Sequence, residues 1–230
     1  MRIRHALIMA AGRGTRMQPL TFSIPKAMAP LLNTTLIAYG ISQIRKYVPN
    51  IHVTVGYKGA ILAQHVIDQN VSSVFNTSGH GNAWWIFNTL MKYVDEPVFV
   101  LTCDNVIELD FDLLEKNYFE KGEPACMMVP VKPVEGLEGD YIHHDEKGLI
   151  YKVDRHDPAP VYASGIQIIN PAKINKLIKP VEDFNDVWRQ LIELKELYAS
   201  EVYPKQWHAV DNLKQLQFVN ELFSKKHNNN

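Results

Sequence analysis

The sequence predicts a single α/β domain with a Rossmann-like, doubly wound and mostly parallel sheet. In the first half of the chain, short apolar runs typical of strands alternate with segments whose apolar residues recur at helical spacing. Polar loops that contain glycine follow the first and third of these strands. With 230 residues, 46% of them hydrophobic, the chain can fill one generous core but is short for two.

The elements follow in order along the chain. Strands are predicted at 3–9, 51–55, 71–75, 96–101 and 125–130, and helices at 35–48, 60–67, 83–93 and 113–121. The first helix illustrates the pattern, because Ile37, Ile41 and Ile44 lie on one face. Shorter paired strands follow at 141–144, 148–154 and 162–169, and a last helix begins near Leu213 with Asp211 or Asn212 as its cap.

Charge and cysteine content exclude several classes of function. The 24 basic and 25 acidic side chains leave a formal charge of −1, so the net charge of the chain does not attract nucleic acid or an anionic membrane. Cys103 and Cys126 show no spacing typical of a disulfide or a metal site. The apolar run near the N-terminus is too short for a signal peptide or a membrane span. We therefore expect a soluble, cytoplasmic protein, a monomer or a small homo-oligomer.

The stretch from Leu7 to Leu32 predicts a loop that binds a polyphosphate. Its residues directly after the first strand have almost no side-chain bulk, so phosphate oxygens can approach backbone N–H groups; these are Ala10, Ala11, Gly12 and Gly14. Arg16 and Lys26 follow, and a loop that folds back aims both cations at one ligand. Three prolines limit the shapes that this loop can adopt.

Other interpretations of this loop fit less well. A Walker A loop requires Lys directly after the last glycine, and a dinucleotide fingerprint requires a third glycine where Met17 stands. The plain alternative is a glycine turn with two solvated cations. We favour the phosphate site because both cations and the prolines occur together.

Three short motifs follow one another in this loop: Gly12-Arg13-Gly14-Thr15-Arg16, Pro25-Lys26 and Pro30-Leu31. Together they resemble the signature of the sugar-phosphate nucleotidylyltransferases, also called nucleoside-diphosphate-sugar pyrophosphorylases. The resemblance implies that the small residues of the loop and Thr15 bind a nucleoside triphosphate. It implies that Arg16 contacts the phosphates during transfer and that Lys26 binds phosphate. Within one domain over 1–230, residues 1–130 would then mainly bind the nucleotide, 131–210 would mainly bind the acceptor, and 211–226 would form a C-terminal helix.

The loop after the third strand resembles the loop of hexose-phosphate members that reads the base. The resemblance implies that Asn76 and Gly81 contact the base, whereas a local Asx turn is the plain alternative for Asn76. Asn82 matches an asparagine often present in phosphocholine-type cytidylyltransferases, but it could equally cap the helix that follows.

Two aspartates match positions that bind metal in relatives. Asp104 follows the strand at 96–101, where a carboxylate faces the ligand crevice, although Cys103 replaces the usual glycine. Asp211 stands four residues after Trp207, the spacing of phosphocholine-type cytidylyltransferases. The resemblance implies that these two carboxylates hold Mg²⁺, whereas the plain alternative makes each a helix or turn cap.

Asp154, Arg155 and Gly165 lie where the family binds its acceptor. A solvent-exposed position on a hairpin edge is the alternative for Asp154 and Arg155. We expect a Mg²⁺-dependent transfer of a nucleoside monophosphate to a phosphorylated sugar or another small phosphorylated metabolite. CTP is favoured over UTP as the donor. The alternatives are a UTP-, dTTP- or GTP-dependent sugar-1-phosphate enzyme for polysaccharide precursors and a non-catalytic nucleotide-sensing domain.

Overall fold

A computed structural model of the chain describes residues 2–134 and 137–228. Its strands are β1 (His5–Ala10), β2 (Pro30–Leu31), β3 (Thr34–Thr35), β4 (Asn50–Val55), β5 (Ser73–Asn76), β6 (Val98–Thr102), β7 (Asn105–Glu108), β8 (Cys126–Val131), β9 (Tyr141–His144), β10 (Ile150–Asp154), β11 (Tyr162–Ile169), β12 (Leu197–Ala199) and β13 (Gln206–Ala209). Its α-helices are α1 (Leu36–Ile44), α2 (Gly59–Ile67), α3 (Trp84–Asn88), α4 (Phe111–Glu120), α5 (Pro171–Leu177), α6 (Phe184–Glu193) and α7 (Leu213–Asn228).

The central sheet confirms the predicted fold class. Its main path runs β10-β9-β11-β6-β1-β4-β5, and the four neighbours β6, β1, β4 and β5 are parallel. Strand β11 pairs antiparallel with β6 and β8, and it joins the parallel part to a smaller antiparallel region. Strands β7 and β13 form a separate ribbon. The carboxyl ends of the parallel strands therefore share one edge.

Helices cover both faces of the sheet, as a doubly wound fold requires. Along β1 the side chains alternate, so that Ile8 packs in the cluster that contains residues of α1, α2 and α4. Leu7 packs in the other cluster, which contains residues of α3, α5 and α6. Fully burying one such side chain contributes about 1.5–3 kcal/mol, so the two layers hold the edge of the sheet in place.

The structure differs from the sequence prediction in several regions, of which two concern helices. The helix predicted at 83–93 breaks at Thr89, which has an extended backbone; its hydroxyl donates to the Trp85 carbonyl and accepts from the Met91 N–H, and a short 3₁₀ turn follows. No element was predicted between 170 and 206, where α5, α6 and β12 lie. The beginning of α5 carries a usual signal, an Asn170 cap followed by Pro171.

None of the helices in the described part of the chain is both long enough and apolar enough to cross a membrane.

A buried histidine pair lies at the opposite edge of the sheet, where β1 and β4 run side by side. His5 Nδ1 lies 3.0 Å from His52 Nε2, and His52 Nδ1 lies 2.7 Å from the Ser73 hydroxyl. Burial and, to a smaller extent, the neighbouring His5 lower the pKa of His52 to about 4, and burial lowers the pKa of His5 as well. Both rings are accordingly neutral in the folded protein near pH 7.

This pair predicts acid-sensitive stability. The unfolded His52 takes up a proton near its ordinary pKa of about 6.5, whereas the folded side chain resists it until about 4. The free energy of unfolding should therefore fall as the pH drops from 6.5 towards 4, by up to about 3 kcal/mol from this group. Urea unfolding across this range should show a flatter pH dependence for His52→Gln than for wild type. The exposed His156→Gln is the matched control, and an equally steep dependence in His52→Gln would contradict the assignment.

Candidate functional site

The largest set of sequence-predicted site residues meets in a cleft of about 770 Å³ at the carboxyl edge of the parallel strands. Segments that follow β1, β4, β5 and β6 all line it, together with Lys26 and Asp211. This is the edge at which open α/β sheets bind ligands, because the loops after parallel strands converge there.

Gly14 shapes the loop after β1. Its backbone is left-handed, with φ 61°, and its carbonyl accepts hydrogen bonds from the Met17 N–H at 2.9 Å and the Thr21 hydroxyl at 3.0 Å. A Cβ atom at position 14 would lie only 2.6 Å from Lys26 Cβ. Glycine is therefore needed both for the turn and for the close approach of Lys26.

The loop after β4 braces the loop after β1. The Tyr57 N–H donates to the Ala11 carbonyl at 3.0 Å, and the Tyr57 hydroxyl donates to the Thr21 carbonyl at 2.9 Å. Gly56 permits this packing, because a Cβ there would lie 2.7 Å from the same Ala11 oxygen. The glycine loop is consequently held from both ends.

An ion cluster lies beside the glycine loop. Lys26 Nζ lies 2.5 Å from Asp104 Oδ2 and 2.7 Å from Asp211 Oδ1, and Arg16 Nη2 lies 3.2 Å from the same Asp211 oxygen. The Lys26 side chain is only 11% exposed, whereas that of Arg16 is 69% exposed. The structure thus brings together four residues that the sequence analysis singled out in three separate segments.

The protonation of Lys26 follows from this geometry. Burial lowers the pKa of Lys26, but the nearby carboxylates of Asp104 and Asp211 raise it by more, so the pKa stands above its ordinary value. The side chain is therefore an ammonium ion that balances two carboxylates near neutral pH.

The start of α7 presents Asp211 to the cleft. Asn212 caps the helix by accepting from the Gln215 N–H, while Gln215 Oε1 accepts from the N–H groups of Asp211 and Asn212. The Val210 N–H also donates to the Asp104 carbonyl at 2.8 Å. Of the two caps that the sequence allowed, Asn212 is the one formed, and the Asp211 carboxylate remains directed at Lys26.

Asp104 and Asp211 are the residues that could hold a divalent cation. Both carboxylates contact the Lys26 ammonium group, so a metal cation in the place of that group could bind both. Carboxylate oxygens are hard ligands. Mg²⁺ commonly binds one or two carboxylates and completes its shell with water and substrate phosphates. In the described residues no group of three or more potential His, Cys, Asp or Glu ligands is present, so a cation here needs such outside oxygens.

The loop after β5 contains three of the predicted site residues, and the structure treats them differently. Asn76 is exposed, and its side-chain oxygen accepts from the Ser78 N–H at 3.0 Å in a local turn. It is not among the residues that line the cleft, whereas Gly81 and Asn82 are. Asn82 does cap a helix, but not the one that follows it, because it accepts from the Phe184 N–H at the start of α6 at 2.9 Å.

Gly81 is required by a close contact. A Cβ at this position would lie 2.3 Å from the Glu182 carbonyl oxygen. The Gly81 N–H donates to the Glu182 carboxylate at 2.8 Å, and the Ala83 N–H donates to the Glu182 carbonyl at 2.8 Å. The segment before α6 therefore supports the back of the loop that follows β5.

Asp154 and Arg155 line a separate groove of about 630 Å³ beside α6. Arg155 Nε lies 3.1 Å from Asp140 Oδ1, and Asp154 lies 3.1 Å from Lys152 Nζ. These contacts fit the plain alternative of a solvent-exposed hairpin edge, and the acceptor role of the two residues stays a prediction.

Gly165, with φ 82°, does not line the cleft. It lies close to the cleft, because a Cβ there would meet Thr102, which lines the cleft, and Asn105. The predicted site residues that line the cleft are Ala11, Gly12, Gly14, Thr15, Arg16, Lys26, Gly81, Asn82, Asp104 and Asp211. Those that do not are Ala10, Asn76, Asp154, Arg155 and Gly165.

Several cleft residues were not among the predicted site residues. Lys58 lies in the turn between β4 and α2, in a left-handed conformation, and Thr102 ends β6. Their positions at the ends of parallel strands were the signal that could have identified them. Cys103 also lines the cleft, but burial, followed by the adjacent Asp104 carboxylate, raises the pKa of its thiol. It is therefore unsuited to act as a thiolate nucleophile.

Comparison with known proteins identifies the family. Residues 5–155 match the family model described as Nucleotidyl transferase, which covers more than half of the chain. The chain therefore belongs to the nucleotidyl transferase family. Its homologues are sugar-phosphate nucleotidylyltransferases, in agreement with the resemblance of the glycine loop.

Two curated relatives are named as mannose-1-phosphate guanyltransferases. The protein of Debaryomyces hansenii is 27% identical over 210 residues, and that of Pichia angusta is 28% identical over 221 residues. The alignments cover 84% and 89% of this chain, but only 57% and 60% of the relatives. The chain thus spans less than two thirds of their length.

Solved structures share the fold. The inositol-1-phosphate CTP transferase from T. maritima has a TM-score of 0.78 and 19% identity, over 98% of this chain and 96% of that one. The CTP:phosphocholine cytidylyltransferase from Streptococcus pneumoniae has a TM-score of 0.76 and 19% identity, over 96% and 99% respectively. At these identities the likeness establishes the fold alone.

The glycine loop gives a prediction about stability. Gly14→Ala places a Cβ against Lys26 and forces a left-handed alanine, so it should lower the free energy of unfolding by about 1–3 kcal/mol. Gly12→Ala is the matched control, because no heavy atom lies within 4 Å of its added Cβ. Urea unfolding of both variants checks this, and equal stability of Gly14→Ala and Gly12→Ala would show that the contact does not constrain the loop.

Proposed function

We propose that the protein transfers a nucleoside monophosphate from a nucleoside triphosphate to the phosphate of a sugar phosphate and releases pyrophosphate. The observation that carries this proposal is the ion cluster of Lys26, Asp104, Asp211 and Arg16 beside the glycine loop, at the ligand edge of the sheet. The family to which the chain belongs supports the reaction class.

In this reaction an oxygen of the acceptor phosphate attacks the α-phosphorus in line. The bond from the α-phosphorus to the bridging oxygen breaks, and pyrophosphate leaves with the electron pair. Because the acceptor and the triphosphate are both anionic, the barrier is largely electrostatic. Backbone N–H groups of the loop around Gly12 and Gly14 would hold the triphosphate, and Arg16 and Lys26 would offset its charge.

Magnesium is proposed as the cofactor, held by Asp104 and Asp211. When bound, the ion would neutralise phosphate charge and help to orient the reactants. In this arrangement Lys26 would leave the two carboxylates and bind a phosphate oxygen. The support is the convergence of both aspartates on one ammonium ion, which is a position suited to a cation.

GTP is proposed as the donor and a hexose 1-phosphate as the acceptor. The curated relatives named as mannose-1-phosphate guanyltransferases support this choice. It replaces the expectation that CTP is preferred to UTP, which depended partly on Asn76, because the Asn76 side chain is engaged outside the cleft.

CTP remains the second candidate, and one observation favours it. Asp211, in the position typical of phosphocholine-type cytidylyltransferases, contacts Lys26 beside Asp104. Ala209 stands where sugar-phosphate members generally carry their second metal-binding aspartate.

A substrate screen tests the proposal. Pyrophosphate release should be measured with GTP, CTP, UTP and dTTP, each combined with mannose 1-phosphate, glucose 1-phosphate, inositol 1-phosphate and phosphocholine. We expect the highest kcat/KM with GTP and a hexose 1-phosphate.

Lys26→Ala and Arg16→Ala should each lower turnover about 10²-fold or more, because they remove charge that stabilises the transition state.

The exposed Lys46→Ala on the surface provides the matched control and should retain wild-type turnover. Highest activity with CTP would favour the second candidate. Triphosphate binding without pyrophosphate release from any combination would instead favour a nucleotide-sensing domain. Normal turnover of folded Lys26→Ala would contradict the role of the ion cluster.

A further inference from the structure

Two buried polar atoms of the cleft wall make no hydrogen bond within the described residues. They are the indole nitrogen Nε1 of Trp85 and the hydroxyl oxygen of Thr102. Both residues line the cleft, and Trp85 is only 1% exposed. An unpaired polar group in an apolar environment is energetically unfavourable. Two such groups in one cleft therefore indicate that a ligand of this cleft forms hydrogen bonds with them.

The two side chains belong to the same side of the sheet. Thr102 follows Val98 and Val100 at intervals of two residues on β6, so the three side chains share one face. Val98 and Val100 pack with Trp85 in the cluster that contains residues of α3, α5 and α6. Met9, which is paired with Thr102 in the sheet register, packs against the same cluster and also lines the cleft. Met9, Trp85 and Thr102 therefore form one wall, called here the Trp85 wall.

The Trp85 wall extends towards the antiparallel part of the sheet. A Cβ on Gly165 of β11 would lie 3.1 Å from Thr102 Cγ2, so β11 approaches this wall closely. In the sheet order, β11 follows β6 on the side opposite to β4 and β5. Met9 lies on β1 just before the glycine loop, and Thr102 lies two residues before Asp104, so the wall adjoins both the glycine loop and the ion cluster. An acceptor on the Trp85 wall would therefore lie beside a donor that the glycine loop holds.

We infer that the Trp85 N–H and the Thr102 hydroxyl bind hydroxyl groups of the acceptor sugar and determine acceptor specificity. An indole N–H only donates, whereas a threonine hydroxyl donates and accepts. A sugar hydroxyl can accept from the first and pair in either direction with the second. The trimethylammonium group of a choline phosphate offers neither an acceptor nor a donor, so the wall favours a polyhydroxylated acceptor. This inference rests on the proposed function and adds the residues that read the acceptor.

One substitution at each position removes the polar atom, and at Trp85 it also removes part of the ring volume. Trp85→Phe deletes the N–H and keeps an aromatic ring, and Thr102→Val replaces the hydroxyl by a methyl group. Calorimetric titration with the preferred hexose 1-phosphate, without turnover, should show a Kd about tenfold higher for each variant. The Kd for the triphosphate should stay unchanged. The urea midpoint should not fall through loss of a hydrogen bond, because neither atom has a partner in the free protein.

Trp188→Phe is the matched control. Its indole N–H donates to Gln167 Oε1 at 3.1 Å, so the same chemical change removes a native hydrogen bond. This variant should lower the urea midpoint and leave the Kd for the hexose 1-phosphate unchanged. A purely structural role of Trp85 would make Trp85→Phe behave like Trp188→Phe.

Deoxy sugars identify the hydroxyl that is bound. One monodeoxy hexose 1-phosphate should lack the hydroxyl that Trp85 binds. Wild type should bind this sugar phosphate with the Kd that Trp85→Phe shows for the complete hexose 1-phosphate, and the variant should bind it no differently from wild type. Unchanged hexose 1-phosphate affinity in both Trp85→Phe and Thr102→Val would overturn the inference, as would failure of wild type to bind any hexose 1-phosphate. Acceptor binding that follows the prediction without pyrophosphate release would instead contradict the proposed function and leave the inference standing.

Discussion

The contact of the Lys26 ammonium with the carboxylates of Asp104 and Asp211 is the interaction on which the arrangement of the cleft depends. It joins the glycine loop, the end of β6 and the start of α7, which are far apart in sequence. The cluster is partly buried, with Lys26 11%, Asp104 25% and Asp211 20% exposed, so removing one partner should cost less than the roughly 3–5 kcal/mol typical of a fully buried ion pair. The cluster therefore positions the loops in the free protein, and the same charges are those that phosphate chemistry requires.

The fold supplies this cluster with a rigid support. Four parallel strands end at one edge, and two apolar layers fix the faces of their sheet. At that edge, Gly14 lets Lys26 approach and Gly56 lets the next loop pack on Ala11. Rigid support matters because electrostatic stabilisation of a transition state is effective only when the charged groups are already in place. Stability and the proposed chemistry thus depend on the same few close contacts.

Much of this could be predicted from sequence where the signal was local. Strand and helix periodicity identified the parallel half, and the glycine loop with Arg16 and Lys26 identified the ligand edge. The ribbon of β7 and β13 could not be predicted, because it pairs segments about a hundred residues apart. For Asn76 the sequence offered both the base contact and the local turn with Ser78 but could not choose between them, since a polar side chain near a loop can bond either a ligand or the backbone. The contact of Asn82 with α6 could not be predicted, because α6 is about a hundred residues further along the chain. The unpaired Trp85 N–H likewise became visible only in three dimensions.

We propose that Asp104 and Asp211 form a cation site from which Lys26 moves to the triphosphate. Anomalous diffraction from crystals grown with Mn²⁺ and a non-hydrolysable GTP analogue, or its CTP counterpart if CTP is preferred, tests this directly. We expect a manganese peak coordinated by both aspartates and by phosphate oxygens, with Lys26 Nζ on a phosphate oxygen. Manganese bound away from both carboxylates, with Lys26 still between Asp104 and Asp211, would contradict the account.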